Sequence, residues 1–331
     1  MLRYIGKRLL MLIPVLIGIS LIVLLLIDLT PGDPARMMLG AQATEQQVME
    51  LRERLGLNDP FFVRYWRYLS GLFRGDFGTS LMTGRPVIEE ISTRFPFTLK
   101  MAALGCIFSV LIGMPVGIYA ATHTHTWKDN TSIFLSLICV SMPGFWFALL
   151  LIKFFGVNLR WVPISGVETW KGWILPITAS SLSLIALIAR QVRSDMLEVM
   201  RQDYITTARS KGLSERTVVY RHGLKNAAIP TIMVIGGMFG SMLGGSMISE
   251  VIFSIPGLGN YIMSGLNNRD YPVIQSGILV ISGIFAVVIL LVDVVFALVD
   301  PRIRSQYTGK KSKKAKRRDS LEKDEEKVTA A

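Results

Sequence analysis

Six long apolar runs constrain the fold of this chain more than any other feature of its sequence. Each run is roughly 17–25 residues long and holds few charges, which suits an α-helix that crosses the hydrocarbon core of a bilayer. Lipid offers no partner for an unpaired backbone N–H or C=O group, so spanning segments of this kind are helical. We therefore predict an all-α polytopic membrane protein with six transmembrane helices, at residues 9–29, 99–121, 133–155, 173–189, 229–251 and 275–299.

The bulk composition agrees with lipid as the solvent. The 331-residue chain is 51% hydrophobic with a mean hydropathy of +0.45, and only 18% of its residues are charged, against about 25% in a typical soluble protein. The net charge of +12 is of the kind seen in nucleic-acid-binding proteins. However, the basic residues lie between and after the apolar runs, where membrane topology places them. Nucleic-acid binding is therefore the weaker interpretation, and membrane lipid is the expected environment.

The distribution of lysine and arginine sets the expected orientation, because these residues accumulate on the cytoplasmic side. They are frequent before the first run, between the fourth and fifth runs and after the sixth run, and sparse in the loops after the third and fifth runs. We therefore expect a multi-pass protein of the cell (inner) membrane with both termini in the cytoplasm. The segment 1–29 is interpreted as a cytoplasmic N-terminus and a retained first span, since its apolar run is too long for a signal peptide.

Two polar segments flank the block of spans at 99–307. Residues 30–98 form the predicted extracytoplasmic subdomain, in which Thr44 and Gln47 have the spacing of a capping box and Gly56 ends the helix. Residues 308–331 form a basic and then acidic tail with almost no apolar residues, a composition typical of disorder. This tail is either a solvated topogenic segment or a binding site for anionic lipid.

The segment 190–228, between the fourth and fifth spans, is too polar to cross the membrane and too periodic for a plain loop. Asp203 is a candidate N-cap of a short helix that Gly212 ends, and Ser214 opens a second helix. A helix, a glycine turn and a second helix between two spans make a compact knob on the cytoplasmic side. Such a knob suits a socket on a soluble partner protein.

The sequence lacks the patterns that indicate catalysis. It contains no Gly-x-x-x-x-Gly-Lys-Ser/Thr phosphate loop, no His-Glu-x-x-His pair and no Cys-x-x-Cys pair. Its three histidines are scattered, and Cys106 and Cys139 lie singly inside apolar runs, where a helix-packing role is the simpler interpretation. We therefore expect a protein that is not an enzyme and that has no catalytic residue, metal site or cofactor.

The knob resembles the Glu-Ala-Ala loop of ABC-importer permeases. Aligned on Gly212, its Ala208 and Leu224 match that loop, whereas the family's proline is displaced to Pro230. The dipeptide, oligopeptide and nickel branch of the family has its own version of the loop, which residues 203–226 resemble more closely. Further motifs similar to that branch follow in order: Pro31-Gly-Asp-Pro34, Leu55-Gly-Leu-x-Asp-Pro60, Gly75-Asp-Phe-Gly78, Arg94-x-Pro-x-Thr-Leu99, Ser141-x-Pro-x-Phe145, Glu250-x-Ile-Phe-Ser-Ile-Pro-Gly-Leu-Gly259, Arg269-Asp-Tyr-Pro272 and Asp300-Pro-Arg302.

The resemblance implies the ABC type I importer permease fold and a subunit that forms half of a translocation pathway for di- or oligopeptides or a nickel chelate. It also implies three kinds of partner: a homologous second permease subunit, two cytoplasmic ATP-binding subunits that hydrolyse ATP, and an extracytoplasmic solute-binding protein. A channel-like or signalling membrane protein that uses the same loop for another soluble partner is the alternative.

In the family that the chain resembles, the knob docks in a cleft of the ATPase. The resemblance therefore gives a set of ATPase-coupling residues, within which Arg209 and Lys211 either pair with acidic residues of the partner or are plain surface charges. The set is Asp203, Tyr204, Thr207, Ala208, Arg209, Lys211, Gly212 and Leu213.

Three features near the later spans have more than one explanation. Gly236, Gly240 and Gly244 repeat at the spacing that lets helices approach closely, and packing within the chain, contact with a partner permease and a pore lining are equally open. Asp293 is an intramembrane carboxylate for which a hydrogen-bonded structural role is favoured over a functional one. The Ile-Pro-Gly-Leu-Gly sequence at 255–259 predicts a short external turn, re-entrant or gate-like.

Overall fold

The computed structural model describes residues 2–40 and 42–299, and this part of the chain is helical with one isolated bridge between Thr79 and Pro86. The predicted tail at 308–331 and the motif at 300–302 lie outside the described residues. Two π-helical turns, Ile152–Asn158 and Val218–Gly223, and a 3₁₀ turn, Trp170–Trp173, interrupt the α-helices. The α-helices are α1 (Leu2–Leu29), α2 (Pro34–Leu39), α3 (Glu45–Arg54), α4 (Phe61–Phe73), α5 (Val87–Thr122), α6 (Trp127–Ser141), α7 (Gly144–Leu151), α8 (Ile174–Met200), α9 (Asp203–Ser210), α10 (Glu215–Thr217), α11 (Leu224–Gly245), α12 (Met247–Ile252), α13 (Leu258–Asn268) and α14 (Tyr271–Val299).

Five helical stretches of the described chain, built on α1, α5, α8, α11 and α14, are long and apolar enough to cross a membrane. The span predicted at 133–155 is not one helix, because α6 and the segment that begins with α7 meet at 98°. Pro143 explains this break: a proline disfavours the helical conformation in the residue before it, and Met142 is extended, with φ −78° and ψ 124°. With the bent pair counted as one span, the predicted all-α fold with six crossings is confirmed.

The helices extend beyond the apolar runs from which the spans were predicted. α5 begins at Val87, ahead of the predicted start at residue 99, and α8 continues to Met200, past the predicted end at residue 189. α11 ends at Gly245, and the separate helix α12 follows inside the predicted fifth span. Hydropathy marks only the part of a helix that suits hydrocarbon, so it does not detect polar continuations.

α5 and α8 pack along a line of small residues, which we call the α5–α8 seam. A Cβ atom placed on Gly117 would lie 2.5 Å from the carbonyl oxygen of Ala189, and one placed on Gly113 would lie 2.8 Å from that of Ile185. The two backbones are therefore in direct contact, which only small residues permit. The seam residues of α5 repeat every four positions: Gly105, Ser109, Gly113 and Gly117.

The glycine repeat of α11 serves packing within the chain at two of its three positions. A Cβ atom on Gly236 would lie 2.4 Å from Val292, and one on Gly240 would lie 3.1 Å from Phe285, both on α14. At Gly244, no atom of another element lies within 4 Å of the Cβ position. Intramolecular packing thus explains the first two glycines and leaves the third on an open face.

α1 packs along α14 and is tied to it at two heights. Val23 and Ile27 of α1 are buried against Ile274 of α14. Towards the other end of α1, Arg8 and Asp293 form an ion pair with 3.1 Å between Nη2 and Oδ2. The ion pair agrees with the structural role that was favoured for Asp293, and that role stays a prediction.

A buried carboxylate organises the predicted turn at 255–259, which joins α12 to α13. The fully buried Glu250 accepts hydrogen bonds from the Thr98 hydroxyl (2.7 Å) and from the backbone N–H of Asn260 (2.9 Å). A Cβ atom on Gly257 would lie 2.4 Å from the carboxyl carbon of Glu250, so glycine is required there. The turn is therefore a closely packed, hydrogen-bonded structure.

The capping box predicted in the segment 30–98 is confirmed. The Thr44 hydroxyl accepts a hydrogen bond from the backbone N–H of Gln47 (3.4 Å), and the Gln47 side chain accepts one from the N–H of Thr44 (2.9 Å). Gly56 has a φ of +65° just past the end of α3, where glycine is favoured after a helix.

Candidate functional site

The segment between α8 and α11 folds as the predicted helix–glycine–helix knob, which we define as residues 203–225. α9 ends at Ser210, and Gly212 then adopts a φ of +77°, a left-handed conformation in which glycine is favoured. α10 follows, and the Ser214 hydroxyl accepts a hydrogen bond from the backbone N–H of Thr217 (3.4 Å). No atom outside the turn lies within 4 Å of the Cβ position of Gly212. The turn is therefore open on its outer side.

The prediction that Asp203 is the N-cap of the first knob helix is wrong by one residue. Gln202 has the extended backbone of an N-cap, with φ −76° and ψ 148°, and Asp203 is the first residue of α9. No side chain donates or accepts a capping hydrogen bond at this end of the helix. The Asp203 carboxylate instead stands in the first turn, where the helix dipole favours negative charge.

Three apolar side chains form the core of the knob. Ile205 and Ala208 of α9 are buried against Val218, and Met200 at the end of α8 packs beside them. The neighbouring Val219 is buried in a larger cluster formed with α5 and α8. Among the eight predicted coupling residues, Ala208 alone is buried, so a larger side chain there would displace the core of the knob.

The other seven predicted coupling residues are all exposed, and they include apolar as well as charged side chains. Tyr204 and Leu213 expose 43% and 40% of their surface, and Tyr220, which the sequence analysis did not single out, exposes 55%. Exposed apolar side chains that form a contiguous patch are typical of protein contact surfaces. The exposed set is Asp203, Tyr204, Thr207, Arg209, Lys211, Gly212 and Leu213.

Arg209 pairs within the knob. Its Nε and Nη2 atoms donate to the Glu215 carboxylate at 3.1 Å and 2.6 Å. These hydrogen bonds raise the pKa of the Arg209 guanidinium above its ordinary value. The pair joins α9 to α10 across the Gly212 turn, a role that neither of the two interpretations of Arg209 included. Lys211 is exposed.

A buried polar contact closes the base of the knob. The Thr231 hydroxyl of α11 donates to Asp195 Oδ2 of α8 at 2.8 Å, and the Gln191 amide donates to Oδ1 at 2.9 Å. Asp195 and Thr231 are both buried. This contact fixes the helix that enters the knob to the helix that leaves it. The sequence analysis missed it, although a carboxylate in the polar continuation of a span was an available signal.

A second ion pair holds α8 from its other side. Arg193 donates to both carboxylate oxygens of the buried Asp129 on α6, at 2.6 Å and 2.7 Å. A bidentate pair of this kind fixes the orientation of both side chains. The end of α8 is therefore held by α6 on one side and by α11 on the other.

The arrangement suits mechanical transmission better than chemistry. The exposed surface of the knob rests on a small apolar core, and polar contacts fix its base to two membrane-crossing helices. Packed elements shift as rigid bodies when one of them is pushed, so a force on the knob would reach α8 and α11. Within the described residues, no group of three or more His, Cys, Asp or Glu side chains could hold a metal ion.

Comparison with known families gives matches that cover nearly the whole chain. Residues 113–305 match the family described as the inner membrane component of binding-protein-dependent transport systems. Residues 1–102 match the N-terminal region of the membrane component of such systems.

Individual relatives are similar over almost their full length. A dipeptide transport system permease protein of Alkalihalophilus pseudofirmus is 43% identical over 92% of this chain and 100% of its own length. A glutathione transport system permease protein of Salmonella paratyphi A is 42% identical over 92% of this chain and 99% of its own length. A similar glutathione permease of Escherichia coli K12 is 41% identical over the same share of this chain.

A solved structure shows the same fold. The methionine ABC transporter in an inward-facing conformation contains a chain that aligns with a TM-score of 0.55 and 18% identity, over 64% of this chain and 97% of its own. The solved structure shows the fold, and the family matches establish a transport permease of the inner membrane rather than an enzyme. The chain therefore belongs to the family of inner membrane components of binding-protein-dependent transport systems.

Proposed function

We propose that this chain forms half of the translocation pathway of an ATP-driven importer, and that its knob couples the spans to cytoplasmic ATPases on separate chains. The observation that carries this proposal is the knob itself, an exposed surface whose base is fixed to α8 and α11 by the Asp195–Thr231 contact. ATP-driven movement of a partner seated on the exposed side chains within 203–213 would then move both spans together.

The proposed substrate is a short peptide. Dipeptide and glutathione, the compounds in the names of the relatives, are both small peptides, and those relatives are 41–43% identical to this chain. A nickel chelate is a weaker candidate, since no relative reported above carries nickel in its name.

The proposed assembly has four further chains: a homologous second permease, two ATP-binding subunits and an extracytoplasmic solute-binding protein. The groove beside Gly244 of α11 supports the second permease, because no described atom of another element lies within 4 Å of the Cβ position of Gly244. In the proposed orientation, both termini and the knob lie in the cytoplasm. The lysine and arginine distribution supports this orientation, and the segment 30–98 then faces the solute-binding protein.

The test is an affinity purification of the chain from its native membrane in mild detergent, followed by identification of the proteins that accompany it. The expected result is a second six-span permease together with ATP-binding subunits. Recovery of the chain with an unrelated partner, under conditions that preserve complexes, would contradict the proposal.

A matched pair of proline variants tests the role of the knob. Gly212→Pro cannot adopt the φ of +77° that the turn requires, so ATPase retention and ATP-dependent peptide uptake are expected to be lost while the chain still inserts. Gly84→Pro is the control, because Gly84 has a φ of +67°, equally open surroundings and a position far from the knob in sequence. It is expected to retain the ATPases. Full ATPase retention and full peptide uptake in the Gly212→Pro variant would contradict the proposal that the knob couples the spans to the ATPases.

A further inference from the structure

α4 contacts α1 at two widely separated heights. The Tyr65 hydroxyl donates to the carbonyl oxygen of Ile17 (2.8 Å) and lies 3.1 Å from the hydroxyl of Ser20. The preceding residue, Arg64, forms an ion pair with Asp28 in the last turn of α1. Adjacent side chains of α4 thus reach points eleven residues apart on α1, one close to its end and one near its middle.

These contacts place α4 at the depth of the hydrocarbon core. The membrane-crossing stretch of α1 ends at Leu29, and Ile17 lies roughly 18 Å before that end at a rise of about 1.5 Å per residue. A tyrosine hydroxyl extends only about 6–7 Å from its Cα atom by standard bond lengths. The backbone of α4 at Tyr65 therefore lies roughly 10 Å inside the boundary of a core about 30 Å thick.

Beside the Tyr65 contact, α4 carries an exposed aromatic stripe. Phe62, Trp66 and Phe73 expose 76%, 73% and 79% of their surface. Their spacing of four and seven residues puts them on one stripe of the helix. Large aromatic side chains facing water at this density would be costly, whereas contact with acyl chains removes that cost.

The charged residues of α4 are compatible with this depth because they are paired. Arg64 pairs with Asp28, and Arg67 pairs with Asp59 just ahead of the helix. Arg64 thus has a carboxylate near the end of α1, and Arg67 has one just ahead of α4. Long arginine side chains extend towards the interface in the same way when their helices enter a bilayer.

The segment that follows α4 is fixed to α14, which holds α4 in place from its other end. The Ser80 hydroxyl donates to Asp270 Oδ2 at 2.6 Å, and the backbone N–H groups of Leu81 and Met82 donate to the same carboxylate at 3.1 Å and 3.3 Å. Asp270 is buried and immediately precedes α14. α4 is therefore held between α1 and the start of α14.

From this geometry we infer that α4 is embedded in the leaflet nearer to Leu29, and that the stripe of Phe62, Trp66 and Phe73 contacts lipid acyl chains. The segment 30–98 is then not wholly outside the membrane, and one of its helices anchors it in the bilayer. The depth set by Tyr65 is the reason to choose lipid rather than a water-borne protein as the occupant of this face.

The test is a nitroxide accessibility measurement on the chain reconstituted with its co-purifying partners in phospholipid vesicles. Single cysteines replace Phe62, Trp66 and Phe73 in a C106A/C139A background, and each carries a spin label. Met49 on α3, which exposes 63% of its surface, is the aqueous control. Collision rates are measured with oxygen, which concentrates in hydrocarbon, and with a polar nickel chelate, which remains in water.

The expected result is a several-fold excess of oxygen over chelate collisions at all three α4 positions and the reverse at Met49. In a Tyr65→Phe variant, which lacks the hydroxyl that bonds to Ile17 and Ser20, the label at position 66 is expected to lie closer to the water phase. Chelate collisions at the α4 positions equal to those at Met49 would overturn the inference. Shielding of all three labels from both reagents would also overturn it, because it would mean that a protein partner covers the face.

Discussion

The α5–α8 seam lies along the middle of α8, whereas the knob follows the end of that helix, and the two regions are stabilised in different ways. In the seam, glycines bring two backbones into contact, so that a single added Cβ atom at Gly117 would lie 2.5 Å from a carbonyl oxygen. In the knob, a core of three small or medium side chains supports an exposed surface. The seam has no room for substitution, whereas most side chains of the knob are exposed and can be changed without steric conflict inside the described chain.

The difference separates two requirements of a coupled permease. The seam makes α5 and α8 one rigid body, because backbone contact over several turns leaves no alternative packing. In the proposed function, the knob presents a surface to another chain, and the stability of the knob depends on few contacts. Substitutions in the seam should therefore change stability first, and substitutions on the exposed knob should change partner binding first.

The largest effect on stability is expected from Gly117→Ala. The added methyl group would meet the carbonyl oxygen of Ala189 at 2.5 Å, and overpacking of this kind costs about 1–3 kcal/mol. The control is Gly18→Ala on α1, where no atom lies within 4 Å of the Cβ position and where alanine is expected to stabilise the helix by about 0.5–1 kcal/mol. The midpoint of thermal unfolding in detergent should fall for Gly117→Ala and rise for Gly18→Ala. Equal unfolding midpoints for the two variants would show that α5 and α8 can move apart to accommodate the added methyl group.

The contact at the base of the knob connects the two regions, and its loss is expected to have the next largest effect. Thr231→Val keeps the side-chain volume but removes the hydroxyl that Asp195 accepts from, and a buried polar atom left without its partner costs about 1–3 kcal/mol. We expect fewer peptides transported per ATP hydrolysed, with the ATPases still bound. Thr231→Ser keeps the hydroxyl and should behave like the parent chain. An unchanged number of peptides transported per ATP in the valine variant would mean that the Asp195–Thr231 contact is not part of the coupling path.

The sequence was sufficient for features that depend on local patterns. Long apolar runs predicted the crossings, and glycine and serine positions predicted the knob, because a left-handed turn at Gly212 and a cap at Ser214 are set by neighbouring residues. The bend at Pro143 had a local signal as well, but the continuous apolar run outweighed it. The one-residue error at Asp203 arose because Asp is a favoured N-cap residue and Gln is not, whereas Gln202 takes the cap position here without a side-chain hydrogen bond.

Contacts between distant parts of the chain could not be predicted in this way. Asp195 and Thr231 lie 36 residues apart, and Asp129 and Arg193 lie 64 apart. Which carboxylate meets which donor depends on how α6, α8 and α11 pack. The seam glycines of α5 were overlooked for the same reason, since a small residue shows its purpose only when the opposing backbone is known.

On the exposed knob, Leu213→Ser is expected to change stability by less than about 0.5 kcal/mol, as is usual for surface substitutions. Leu213 is 40% exposed and belongs to no buried cluster of the described chain. Retention of the ATPases should nevertheless fall, because an apolar contact with the partner is removed. Met49→Ser makes the same kind of apolar-to-serine change at an exposed position of α3, and it should leave retention of the ATPases unchanged. If both variants retain the ATPases equally, the docking surface does not include Leu213.

The smallest effect on stability is expected at the Arg209–Glu215 pair. Both side chains are largely exposed, and exposed ion pairs contribute only about 0.2–1 kcal/mol, less at high salt. Glu215→Gln should therefore barely change the unfolding midpoint, but it frees the Arg209 guanidinium from its partner within the knob. Since Arg209 stands beside the Gly212 turn, the freed charge should change ATPase binding. The change should shrink as salt is added, because salt screens the interactions of exposed charges. The exchange of the two residues, R209E with E215R, restores the pair but moves the positive charge from α9 to α10. Normal ATPase binding in the exchanged variant would show that the pair only shapes the turn, whereas a persistent loss would show that the partner contacts Arg209 itself.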